Sequence, residues 1–280
     1  MLKIIKNIIY FFINIFDFKF DFPLPPRQIT RLFQISFWIT FFHLYHIRKE
    51  REKLIKNDHW KDYKVKKTSL QDWLSKIFLV QYGTVRNKKV YNIISKDNGV
   101  KNILDVGCGS GASSVCFLME FFDYRFPKGN LNTNYEKLNF YGIDISSSRI
   151  EEAKVKLPIL FNYFKEKVSL NFSKGDVKNL NFNDNFFDYV IVASILDYLD
   201  EKSFLIAIKE ICRVSKKGIH IVDFADRYPL NKPRSHEIFK NAMKKFDFKL
   251  IFYNYRITKS YPAIIRNQLV LDMFFTNGHE

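Results

Sequence analysis

Three aspartates and a run of glycines are the residues of this chain best suited to do chemistry. The stretch Asp105-Val-Gly-Cys-Gly-Ser-Gly111 sets glycines at alternate positions. Such spacing lets the backbone turn tightly and approach a ligand with no Cβ in the way. Alone it is a weak signal, because Gly107, Gly109 and Ala112 also satisfy the G-x-G-x-x-G/A pattern of nicotinamide-binding loops. Asp105 narrows the choice. A carboxylate two residues ahead of the first glycine would repel a pyrophosphate and attract an ammonium or sulfonium group. Asp144, in Tyr141-Gly-Ile-Asp-Ile-Ser146, can accept hydrogen bonds from both hydroxyls of a ribose. Asp176, in Gly175-Asp-Val177, can accept the exocyclic amine of an adenine while Val177 packs on its ring. Each aspartate alone is a common cap or turn residue. Together with the glycines they match an amine, a ribose and an adenine.

Those residues need a frame that gathers them, and the chain alternates accordingly. Val100–Val106, Asn139–Ile143, Val168–Phe172, Phe187–Ala193 and Gly218–Phe224 read as strands. Ser113–Phe122, Ser147–Lys156 and Glu201–Val214 read as helices between them. This order predicts an α/β fold with a mostly parallel sheet and helices on both faces. Lys249–Tyr255 and Asn267–Phe275 read as a closing antiparallel hairpin rather than another βαβ unit. In such sheets the ligand lies outside the carboxyl ends of the strands, where the strand order reverses. Asp105, Asp144 and Asp176 each follow a strand. Upstream, Leu70–Ser95 carries apolar residues at helical spacing (Leu70, Trp73, Leu74, Ile77, Phe78), and Asn98-Gly99 turns the chain into the first strand.

The chain has 280 residues and a formal charge of +16, with 47% hydrophobic and 26% charged residues, which excludes a disordered or collagenous protein. The charge favours an anionic partner, nucleic acid or an acidic membrane surface. Three cysteines with no CxxC pair argue against a disulfide framework and for a reducing, cytoplasmic compartment. No metal-ligand spacing is visible; His43 and His46 stand three apart with no further ligand beside them. Residues 1–80 form an apolar, basic, helical extension ahead of a main domain at 81–280. The extension's apolar stretches, Leu2–Phe16 and Leu32–Tyr45, are each about fifteen residues, short of the ~20 that span a bilayer. Asp17-Phe-Lys-Phe offers no signal-peptidase site. Two readings remain: helices that cap the main domain, or helices that lie on an anionic membrane surface as a peripheral anchor.

Taken as a set, Ile103-Leu-Asp-Val-Gly-Cys-Gly-Ser-Gly111, Tyr141-Gly-Ile-Asp144, Gly175-Asp176, Phe187-Asp-Tyr-Val-Ile-Val192, Ser194-Ile-Leu-Asp-Tyr-Leu-Asp200 and Arg213-Val-Ser-Lys-Lys-Gly218 resemble the class I S-adenosylmethionine-dependent methyltransferases. The likeness covers about residues 85–275 and is closest to the broad group holding the ubiquinone-type and other small-molecule enzymes. It implies a Rossmann-like seven-stranded sheet whose last strand is antiparallel. It also implies S-adenosylmethionine as cofactor. The methionine portion would lie on Asp105, Gly107, Cys108, Gly109 and Gly111. The ribose would lie on Asp144 beside Ile145, the adenine on Asp176 and Val177, and Ala193 would border the site. The interval between the glycine loop and Asp144 is longer than the usual ~20 residues, so Phe121–Leu138 reads as an insertion.

Methyl transfer asks for alignment of the nucleophile with the sulfonium methyl, and for a base only where the acceptor must lose a proton. Asp197 and, after it, Tyr198 are the candidate catalytic residues behind the fourth strand; Asp223 follows the fifth. The position after strand four reads Ala193-Ser-Ile-Leu196, without the Asn-Pro-Pro-Tyr-like turn that grips exocyclic base amines. None of Cys108, Cys116 and Cys212 is placed as an RNA carbon methylase's nucleophile would be. A small-molecule, lipid or quinone-like acceptor is therefore expected. The charge keeps RNA ribose or base methylation as an alternative; a non-catalytic cofactor-binding module is another.

Overall fold

The computed structural model describes residues 69–77, 87–126, 135–224, 234–258 and 268–278. The two N-terminal apolar stretches, His43 and His46 lie outside the described residues, and with them the choice between a cap and a membrane anchor. Seven strands form one sheet: β1 (Asn102–Val106), β2 (Leu138–Asp144), β3 (Val168–Lys174), β4 (Phe187–Ala193), β5 (Ser215–Phe224), β6 (Phe248–Thr258) and β7 (Gln268–Asn277). Their order is β3-β2-β1-β4-β5-β7-β6. Strands β1 to β5 run parallel, and β7 lies antiparallel between β5 and β6. The chain winds from β1 outward to β3, then crosses back to β4 on the other side of β1. That reversal opens a crevice at the carboxyl ends of β1 and β4.

Strand β4 is buried at all seven positions, as a central strand covered on both faces must be. One face carries α1 (Leu70–Lys76), α2 (Lys88–Lys96), α3 (Ala112–Arg125) and α4 (Ser147–Leu160); the other carries α5 (Glu201–Val214) and α6 (His236–Lys244). Phe117 of α3 is fully buried, with the rings of Tyr91, Phe121 and Phe140 centred 5.0, 5.3 and 5.8 Å away. Truncating such a residue to alanine costs about 3–5 kcal/mol.

The expected strands and helices fall where periodicity sets them, with four differences. Phe121–Arg125, read as the start of an insertion, continues α3, with Phe121, Phe122 and Arg125 buried. Leu70–Ser95 is not one helix: α1 and α2 are separate, with residues 78–86 between them outside the described set. Helix α4 continues past Lys156 to Leu160 and takes Pro158 into its last turn, after the point where the periodic pattern fades. The β6–β7 pair is antiparallel as expected, but β6 is entered through α6. β5, α6 and β6 thus form a crossover into which β7 inserts.

A buried polar group ties α2 to the far side of the sheet. Asn87, which caps α2 by accepting from the Val90 N–H, donates its amide to Asp272 Oδ1 at 2.8 Å. His220 Nε2 stands 2.9 Å from the same oxygen and Arg256 Nη2 lies 3.2 Å from Oδ2. Burial works against the Asp272 charge, but the His220 and Arg256 charges and the Asn87 amide hold its carboxyl below the usual range.

Candidate cofactor and acceptor site

The glycine loop is built onto the end of β2. The N–H groups of Gly107 and Cys108 both donate to the Ile143 carbonyl, at 2.8 and 2.9 Å, and the Gly109 N–H donates to Asp144 Oδ2 at 3.0 Å. The loop then closes with Gly111 N–H on the Cys108 carbonyl at 2.8 Å. Gly107, Gly109 and Gly111 take φ of 74°, 56° and 93°, which side-chain-bearing residues seldom adopt. Space is closed as well. A Cβ on Gly107 would stand 2.3 Å from Ile195 Cγ2, and one on Gly111 2.2 Å from Leu157 Cδ1.

The three aspartates stand at the ends of three adjacent strands. Asp144 is 7% exposed, with Oδ1 accepting from the Ser146 N–H at 2.8 Å and Oδ2 from Gly109. Each oxygen keeps lone-pair capacity beyond its one backbone donor. Ile145, the next residue, is half-buried. Asp176 is half-exposed, accepts from the Lys178 N–H at 2.9 Å through Oδ1 and faces Lys178 Nζ at 3.7 Å. Val177 packs against the core on the α5 side. The loop carrying both is held by Arg213 of α5, whose guanidinium donates to the Leu180 and Phe182 carbonyls at 2.8 and 2.7 Å.

Asp105 is fully buried rather than open on the crevice. Its Oδ2 accepts from the hydroxyls of Ser113 and Ser114, at 2.7 and 2.6 Å, and so draws the first turn of α3 onto β1. Its Oδ1 has no hydrogen-bond partner among the described residues. Burial pushes the carboxyl up to about 6, opposed by the two serines and assisted by the neighbouring Asp144 charge. An orphaned buried carboxylate oxygen is satisfied when a cation arrives beside it. Cys108 presents its backbone to the loop. Its Sγ is turned toward Gly142, and burial, with the Asp105 and Asp144 charges, raises the thiol well above its usual range, so it is inert as a nucleophile.

Across the crevice, Ala193 ends β4 and Ser194 follows at φ 56°, a strained conformation that turns the chain sharply. Ile195 then lies over Gly107, and the 3₁₀ turn Leu196–Tyr198 carries Asp197, buried, and Tyr198, half-buried. Arg234 holds this turn. Its Nη1 donates to the Leu196 carbonyl at 2.9 Å and its Nη2 to that of Leu199 at 2.7 Å, with the guanidinium over the Phe204 ring at 4.3 Å. Asp223, also buried, lies near the end of the neighbouring β5.

The sequence patterns identify the loop glycines and Asp144, Asp176 and Asp197. Ser113, Ser114 and Ile195 stand inside the quoted stretches without being singled out. Arg234 carries no sequence signal. Among the described residues no cluster of histidines, cysteines and carboxylates could hold a metal ion, and no helix is long and apolar enough to cross a membrane.

The donors and acceptors present suit a cationic nucleoside: an acceptor pair on Asp144 for vicinal hydroxyls, an acidic group on the next loop, and an unsatisfied carboxylate oxygen under the glycines. Comparison with known proteins gives the same direction. Residues 97–261, more than half of the chain, match the family model of a methyltransferase domain. A demethylmenaquinone methyltransferase of Staphylococcus aureus is 29% identical over 151 residues, 54% of this chain and 53% of that protein. The chain therefore spans about half the length of the curated relatives it matches. Magnesium protoporphyrin IX methyltransferase of Synechocystis PCC 6803 with bound S-adenosylhomocysteine shares the fold at a TM-score of 0.53 and 15% identity, over 82% of this chain and 94% of that one. The same enzyme with S-adenosylmethionine gives 0.51 and 14%, over 82% and 96%. With β7 antiparallel in a seven-stranded sheet and the glycine loop on β1, the chain belongs to the class I S-adenosylmethionine-dependent methyltransferases.

Proposed function

We propose that this methyltransferase acts on a small apolar acceptor of the quinone or lipid type. The observation that carries the reading is the turn after β4: Ile195 lies on Gly107 of the cofactor loop, so whatever rests on Leu196–Tyr198 adjoins the cofactor. Apart from Asp197, Tyr198 offers the only other polar side chain on that turn, among Ile195, Leu196 and Leu199. The demethylmenaquinone methyltransferase relative acts, by its name, on a quinone precursor, which favours the same acceptor class.

S-adenosylmethionine supplies an electrophilic methyl on a sulfonium; the residues of this chain hold the reactants and handle the proton. In this reading Asp144 accepts from the ribose hydroxyls, Asp176 from the adenine amine with Val177 against the ring, and the Asp105–Gly111 loop takes the methionine portion. Asp197 is the candidate base for an acceptor that must lose a proton, with Tyr198 beside it. Residues 81–280 make the transferase and residues 1–80 an extension. The extension's basic, apolar character suits delivery of a lipophilic acceptor from an anionic membrane surface.

The test is methyl transfer from labelled S-adenosylmethionine into cell extract separated into lipid, RNA, protein and small-metabolite pools. Label is expected in the organic-soluble fraction and should depend on Asp197, falling at least about tenfold in Asp197→Asn if that carboxylate takes the proton. Label in RNA would overturn the acceptor class. No label in any pool, despite S-adenosylhomocysteine binding, would instead support a non-catalytic binding module.

A further inference from the structure

The glycine loop is gripped from outside by a residue beyond the matched transferase segment. Trp73 of α1 is 3% exposed and donates its indole Nε1–H to the Ser110 carbonyl at 2.9 Å, across 37 residues of sequence. Beneath the ring, Lys156 Nζ sits 5.6 Å from its centre and pairs with Glu152, one turn earlier on α4. The next residue, Leu157, fills the space against Gly111. Indole and leucine thus meet the two ends of the Ser110–Gly111 peptide. Rotating that peptide would break the indole hydrogen bond and drive Gly111 out of the φ of 93° that starts α3.

We propose that Trp73 is a positioning residue for cofactor binding: by fixing the Ser110 carbonyl it holds the glycine loop in its binding conformation and couples docking of α1 to cofactor uptake. This rests on assigning the loop to the cofactor. Helix α1 has seven residues, too few to be stable without tertiary support. It keeps its shape through its Ser69 cap, which accepts from the Asp72 N–H, and through burial of Trp73 and Ile77. Order in α1 and order in the loop therefore depend on one another. Linkage requires that a ligand which orders the loop also stabilise the docked helix, by the same factor that helix docking raises ligand affinity.

Trp73→Phe keeps most of the ring volume and removes the N–H. Its dissociation constant for S-adenosylhomocysteine, measured by calorimetry, should rise about three- to tenfold, the range for one neutral hydrogen bond. Leu70→Ala, on the same helix, acts only through helix docking and should weaken binding less than Trp73→Phe does at equal loss of melting temperature. Equal weakening by both variants at equal loss of stability would reduce Trp73 to a packing role and overturn the proposal. Amide exchange of the unaltered protein gives a measurement that needs no variant. Added S-adenosylhomocysteine should slow exchange in residues 107–112 and 70–77 together. Slowing in the loop alone would overturn the coupling. Slowing in neither segment would sink the cofactor assignment itself.

Discussion

Asp144→Ala probes the point where the architecture of the site meets its ligand. In the folded protein Oδ2 accepts from Gly109 at 3.0 Å and Oδ1 from Ser146 at 2.8 Å, with the residue 7% exposed. Hydrogen bonds to an ionised group contribute roughly 1.5–3 kcal/mol each. Alanine removes both and leaves two N–H groups to whatever water enters, so a loss of about 3 kcal/mol in stability is expected. For a domain of this length that is a drop in melting temperature of roughly 6–12 °C. Ligand affinity falls through a separate route. A ribose diol donates two hydrogen bonds to an ionised carboxylate, and losing them should weaken S-adenosylhomocysteine about 100-fold or more. Asp144→Asn keeps one acceptor and should recover about half of the stability loss. The assay is calorimetric titration alongside thermal unfolding, repeated with the 2′-deoxy form of the ligand. The unaltered protein should discriminate against the deoxy ligand, and Asp144→Ala should not. A folded Asp144→Ala protein that bound S-adenosylhomocysteine within threefold of the unaltered one, or still discriminated, would refute the ribose assignment.

Two further outcomes follow from named contacts. The Asp105 carboxyl is raised by burial to about 6 in the folded state, above its unfolded value, so folding favours its protonated form. The stability it contributes is full below about pH 4 and is lost as pH rises through 6; over that window Asp105→Asn should gain on the unaltered protein by up to about 3 kcal/mol in urea denaturation. An ammonium beside it favours the ionised form, so S-adenosylhomocysteine, which carries the α-ammonium though no sulfonium, should bind more tightly at pH 7 than at pH 5. Proton release near pH 6 should appear in titrations run in buffers of different ionisation heat, and Asp105→Asn should flatten both responses. Arg234→Lys keeps the charge but cannot bridge the Leu196 and Leu199 carbonyls, so about 2 kcal/mol of stability should go. Amides 195–199 should exchange faster while cofactor affinity holds within twofold; unchanged exchange there would show that the turn supports itself.

Much of the frame was legible because its signals are local. Phe187–Ala193 is an apolar run broken only by Asp188, and Glu201–Val214 repeats its apolar residues at helical spacing behind the cap Asp200; both elements have the expected bounds. Helix α6 is harder to read, since nine residues with Phe239, Ala242 and Met243 as the buried set give barely two turns of pattern. The His220–Asp272 pair left a trace in that each is a polar residue inside an apolar run, Ile219–Val222 and Leu269–Phe275. Only the antiparallel β5–β7 register, which sets Val222 opposite Asp272, brings the two onto neighbouring rows of one face.

The groups that hold the site's loops were not legible, and for one shared reason. Ser110 is held by the indole of Trp73, Leu180 and Phe182 by Arg213, and Leu196 and Leu199 by Arg234. Each anchor is a side-chain donor, but in every case the atom it meets is a backbone carbonyl. A carbonyl belongs to all residue types alike, so the receiving position carries no mark in the sequence, and 31 to 38 residues separate donor from acceptor along the chain. The carboxylates that would touch the cofactor are visible because the ligand's chemistry demands their side chains. The anchors answer to loop shape, which several different donors could satisfy. Loops fixed by donors from α1, from α5 and from Arg234, two residues ahead of α6, need little reorganisation when the ligand arrives, and such preorganisation is what an alignment-driven reaction draws from its protein.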